Sequence, residues 1–174
     1  LGEQNGSHTG ARYYSPGATL NDASLGMFYD DTYTGEGLKV KEIISKSPLT
    51  LKKNDVKAGC ILMKIDGMPI LKGMDYYPLL EGKAGKKVLL SFYNPEGGKN
   101  IDVTIKAISL GAENELLYQR WVERNRKMVD ELSGGKLGYI HIKAMDSSSF
   151  RTLYSELLGK YRNKEAIIID TRHN

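Results

Sequence analysis

The feature that most restricts this chain is the run Gly59-Cys60-Ile61-Leu62-Met63-Lys64-Ile65-Asp66-Gly67-Met68-Pro69-Ile70. It is apolar, of strand length, preceded by one glycine and closed by an Asp-Gly turn with proline just beyond. So apolar a strand requires cover on both faces, and the neighbouring segments offer it. Leu38 and Val40 alternate with Lys39 and Lys41, which predicts a strand with one buried and one wet face. Val88, Leu90 and Phe92 alternate likewise. After the turn Asn94-Pro95-Glu96-Gly97-Gly98 so do Ile101, Val103 and Ile105, opposite Asp102, Thr104 and Lys106. This pair is a hairpin. Between the strands, Asp75-Tyr76-Tyr77-Pro78-Leu79-Leu80-Glu81 predicts a short helix, with Asp75 as cap and Pro78 tolerated in the first turn.

A further strand is read at Ser24-Leu25-Gly26-Met27-Phe28-Tyr29. Taken bare, Gly26 relieves a bend and Met27 and Phe28 are core. Glycine also lets a backbone approach a ligand closely, and successive N–H groups can form an anion-binding concavity. With the strands and helix around it, the stretch 25–106 resembles a PDZ domain. The resemblance implies that Leu25, Gly26, Met27 and Phe28 form the loop that holds a peptide's terminal carboxylate. The groove would lie between the 25–30 strand and the short helix, lined by one of Tyr76 or Tyr77, with Tyr77 as the candidate peptide-binding residue. In protease-associated PDZ domains an Asp usually stands where this chain has Cys60.

Past residue 115 the pattern changes. Leu117, Trp121, Met128, Val129 and Leu132 recur at helical spacing, and Gly134-Gly135 ends the run as a C-cap pair. Leu137-Gly138-Tyr139-Ile140-His141-Ile142 reads as a strand. Asp146 or Ser147 then caps a helix carrying Phe150, Leu153, Tyr154, Leu157, Leu158 and Tyr161 on one stripe, and Ala166-Ile167-Ile168-Ile169-Asp170 is a continuous apolar strand. Strand, helix, strand in this order predicts a parallel βαβ unit. Ligands of such sheets gather at the carboxyl ends of the strands, which places Asp170-Thr171-Arg172-His173-Asn174 at a candidate site. His141 and His173 are read as a strand and a loop residue without chemistry.

The first twelve residues include Asn5-Gly6-Ser7-His8-Thr9-Gly10, and Ser15-Pro16-Gly17 reads as a linker. With the closing segment 121–174, this stretch resembles tricorn-like serine proteases of the C-terminal processing peptidase superfamily. There a Ser-His segment ends the first catalytic subdomain and a PDZ domain separates it from the second. On that resemblance His8 is the general base and Ser7 belongs to the hydrogen-bonded chain that orients it. The expected fold is α+β: a PDZ-like, partly open β-barrel with short helices, then a helix and a βαβ unit from a truncated α/β catalytic domain. The expected divisions are 1–20 (tail of the first catalytic subdomain and linker), 21–108 (PDZ-like domain) and 109–174 (start of the second catalytic subdomain).

The resemblance implies hydrolysis of peptides or polypeptides through an acyl-enzyme, and a parent that is a homo-oligomer. Because the nucleophilic serine of such enzymes lies further along, the 174 residues alone are expected to be inactive. The alternative is a non-catalytic peptide-binding module, or a spacer whose Met27 and Phe28 fill the groove themselves. Composition limits the remaining classes. A formal charge of +4 comes from lysines set among acids, and the basic run 120–127 carries Glu123, which describes a solvated helix face and not a nucleic-acid footprint. No segment has the length and apolarity of a membrane span. One cysteine and three histidines without ligand spacing imply no metal and no cofactor. Cys60 is read as packing. The sequence leaves cytoplasm and periplasm equally open.

Overall fold

The computed structural model describes residues 22–172. Ten strands and two α-helices follow in order. The central sheet is formed by β2 (Met27–Tyr29), β3 (Leu38–Ile43), β4 (Ile61–Ile65), β6 (Lys87–Asn94) and β7 (Lys99–Lys106), all antiparallel, with β5 (Met68–Pro69) folded back on β4. β1 (Ala23–Ser24) pairs with β8 (Ile108–Ser109) and brings the two ends of this module together. The alternating hairpin forms, with Leu90 opposite Val103 and Phe92 opposite Ile101. Its inward residues meet Leu25, Val40, Leu62 and Ile65 in a single core. Each such side chain stabilises the fold by about 1.5–3 kcal/mol through burial.

The strand that anchors the module is covered less evenly than its composition suggests. Cys60, Leu62 and Ile65 are fully buried, Ile61 and Met63 are half-buried, and Lys64 is exposed. A register shift between Leu62 and Lys64 turns the strand, so the charged residue reaches water while Ile65 returns to the core. The Asp66-Gly67 turn has positive φ at both residues, 50° and 82°, the geometry of a tight hairpin turn. The Asp66 carboxylate accepts from the Leu89 N–H at 2.8 Å and pairs with Lys83. Burial works against its charge, but these two partners hold the carboxyl below its ordinary range.

Three local expectations are corrected. The predicted strand 24–29 is two strands, because the chain bends at Leu25-Gly26 between β1 and β2. The short helix is a single 3-10 turn, Tyr77–Leu80, with Pro78 near its start. Asp75 lies just outside it, where its carboxylate accepts the Tyr77 N–H at 3.1 Å. The long helix α1 (Leu110–Leu132) starts five residues before Glu115: Ser109 caps it by accepting the Ala112 N–H.

After α1, β9 (Leu137–His141) and β10 (Ala166–Asp170) pair in parallel, joined through α2 (Ser147–Ser155) and a π turn, Glu156–Lys160. Asp146 is the α2 cap. β9 is buried at Tyr139 and Ile140, with Tyr161 closing over Gly138. The apolar stripe on the second helical segment is split: Tyr161 is buried and Leu153 and Leu157 half-buried, while Phe150, Tyr154 and Leu158 face outward. A parallel pair needs helices on both faces, and among the described residues these strands are covered on one.

Candidate functional site

The bend between β1 and β2 is built around one glycine. Gly26 has φ +70°, and a Cβ there would stand 2.6 Å from the Ser47 Cβ. Its carbonyl accepts from the Ile44 N–H at 3.0 Å, and its own N–H donates to the Ser24 hydroxyl at 2.9 Å. The Ser24 hydroxyl in turn donates to the Glu113 carboxylate of α1. A carboxylate from this chain is thereby linked to the turn predicted to hold a carboxylate.

β2 is the edge of its sheet. The Gly26 carbonyl bonds to Ile44, just past the end of β3, and the Asp30 N–H to Lys39 of β3, so strand alternation directs the Met27 and Tyr29 peptide groups the other way. No strand among the described residues pairs with that side. Facing it across a groove of ≈ 660 Å³ stands the 3-10 turn. Tyr29 lies on the β2 side, with its ring edge-on to Tyr76 at 5.5 Å. Tyr77 stacks on Tyr76 at 4.5 Å and is 62% exposed. Both tyrosines therefore line the groove, Tyr76 as wall and Tyr77 as rim. The Tyr29 hydroxyl is buried and has no hydrogen-bond partner among the described residues. Burial pushes its phenol up, and Tyr77 and Glu113 push in the same direction.

The remaining predicted residues fall into two groups. Leu25 and Met27 are buried core side chains whose backbone borders the groove. Phe28 also borders the groove but carries the Arg120 guanidinium 5.3 Å above its ring. Arg120 also pairs with Glu42, the cross-strand partner of Phe28. The basic run of α1 is thus in part a clamp: Arg126 is held by Glu123 and by both oxygens of Glu156. Ser7 and His8 lie outside the described residues. Sequence reasoning missed Ser24 and Glu113. Ser24 stood two residues before the glycine and carried the available signal; Glu113 lies 89 positions from Ser24 and carried none.

At the carboxyl end of the parallel pair, Asp170 is buried and accepts from Tyr139 at 2.7 Å and from the Arg172 guanidinium at both oxygens. Arg172 and Tyr139 hold its carboxyl well below the usual carboxylate range. His141 is bonded at both ring nitrogens, to the Tyr118 hydroxyl and the Arg172 carbonyl, which leaves neither free for a substrate. No described helix is long and apolar enough to cross a membrane.

An edge strand facing a short helical turn across an aromatic groove, in a module whose two ends pair through β1 and β8, defines a PDZ domain. The model of the tricorn protease PDZ domain matches residues 31–109. The chain is 30% identical over 169 residues to tricorn protease homolog 1 of Streptomyces coelicolor, covering 97% of this chain and 15% of that protein. It is 32% identical over 132 residues to the tricorn protease of Thermoplasma volcanium, covering 74% of this chain and 12% of that one. The crystal structure of the tricorn protease superposes with a TM-score of 0.69 at 24% identity, over 86% of this chain and 15% of the other. This chain belongs to the tricorn protease family, as a segment spanning a small part of its relatives' length.

Proposed function

We propose that the chain is the PDZ-centred segment of a serine-type peptidase, with 1–20 closing one catalytic subdomain, 21–108 forming the peptide-binding domain and 109–174 opening the next. In this reading His8 is the general base of an acyl-enzyme mechanism and Ser7 fixes its orientation. The nucleophile comes from outside these residues, so the 174 residues alone are inactive, and the working enzyme is a homo-oligomer. The observation that carries the binding role is the unpaired edge of β2 across from Tyr76 and Tyr77. Such an edge supplies main-chain hydrogen bonds to an extended peptide, and alternate pockets supply selectivity. The family relationship supports the peptidase part.

The test compares peptide hydrolysis by the full-length protein with and without His8→Ala. Loss of activity in the variant supports the assignment; equal activity removes His8 from catalysis. A second reading, a spacer that binds nothing, is favoured by one observation: the Gly26 N–H is already bonded to Ser24. Titration of short peptides against the chain separates the two, since a spacer binds none at millimolar concentration.

A further inference from the structure

The groove's electrostatics run against the ligand that its backbone turn suggests. Asp30, Asp31 and Glu113 border it, against one cation, Lys72. Asp30 has Lys39 beside it at 3.8 Å; Glu113 has no cationic partner among the described residues, and its bond from Ser24 is its hydrogen bond. A second carboxylate arriving at the Gly26 turn meets this one, and like charges close together disfavour each other. The same charge attracts an ammonium or guanidinium. The edge of β2 and the Tyr29 hydroxyl, both without a partner among the described residues, remain for a ligand to use.

Building on the peptide-binding reading above, we propose that Glu113 occupies the place of a ligand carboxylate. The groove therefore takes an extended internal segment bearing a lysine or arginine, added to β2, and needs no free chain terminus. Met27 and Tyr29 supply the main-chain bonds. The cationic side chain lies toward Glu113 and Asp31, and the exposed Tyr77 ring swings aside to admit the ligand to the Tyr29 hydroxyl. The short reach from Gly26 through Ser24 to Glu113 fixes the acidic end of the groove, because the carboxylate is tethered to the rigid start of α1.

The test measures binding of three short valine-threonine peptides to the 174-residue chain by fluorescence anisotropy. One carries a central lysine and both ends capped, one replaces the lysine by glutamine, and one keeps the lysine but has a free C-terminus. The capped lysine peptide is expected to bind about two- to fivefold more tightly than the glutamine peptide, the scale of an exposed ion pair. The free acid is expected to bind no more tightly than the capped form. Glu113→Gln is expected to erase the lysine preference and to favour the free acid, and Ser24→Ala, with circular dichroism as a control of folding, is expected to weaken the lysine preference. Tighter binding of the free acid by the unaltered chain overturns this inference and leaves the peptide-binding reading standing. Equal binding of lysine and glutamine peptides also overturns it. Binding of none overturns both.

Discussion

The Ser24 hydroxyl donates to the Glu113 carboxylate and accepts from the Gly26 N–H, so one serine joins the bend of the PDZ domain to the first turn of the helix that leaves it. Ser24→Ala removes this acceptor and leaves a buried N–H unpaired. The expected loss is about 1–3 kcal/mol, the cost of stranding a buried polar group, read as a lower midpoint in urea unfolding. An unchanged midpoint would mean that water or another acceptor replaces the hydroxyl.

Gly26 holds a left-handed backbone with no room for a methyl group. Gly26→Ala is expected to cost about 1–2 kcal/mol for the backbone and a further ~1–3 kcal/mol for displacing Ser47. Gly59→Ala is the control: it shares the positive φ but has open space, so its loss is limited to the backbone part. Similar losses at the two positions would contradict the close approach of Ser47.

Tyr76 and Tyr77 differ in depth, and their substitutions should separate. Tyr76→Ala removes a wall packed on Tyr29, so both folding stability and peptide binding fall. Tyr77→Ala removes an exposed rim ring, so stability changes by less than about 0.5 kcal/mol while peptide affinity still changes. Paired thermal melts and titrations read both effects.

Asp170 gives the chain an acid-sensitive corner. Its carboxyl is lowered first by the Arg172 side chain and then by Tyr139, so the unfolded chain binds the proton more tightly than the native one. Stability from this group is full above the ordinary carboxylate value of about 4 and is lost as pH falls below it toward the depressed native value. Asp170→Asn should flatten this part of the stability curve between neutral and acid pH. A variant with the same acid dependence as the original chain would show that other carboxylates govern it.

The β6–β7 hairpin was legible because Val88, Leu90 and Phe92 against Ile101, Val103 and Ile105 state a period of two, and that period alone chooses the buried face. The parallel pair was legible from the continuous apolar run 166–169. The start of α1 was missed because Gly111 weakens the helical signal in its first turn, although the Ser109 cap was there to be read. The basic run 120–127 looked like a solvated face; its partners Glu42 and Glu156 come from other elements, and no local pattern announces them.

Sequence alone determined the β6–β7 hairpin, the long helix and the strand–helix–strand order of the closing segment, most of the PDZ core, and the glycine bend in the 24–29 stretch. These follow from local periodicity and backbone freedom, which act within a few residues. Tertiary structure alone decided that Tyr76 forms the wall and Tyr77 the rim, and that Glu113 reaches the Gly26 bend. Those outcomes depend on how β1 and β8 bring distant segments together, and a carboxylate 89 positions along the chain leaves no trace in the pattern around either partner.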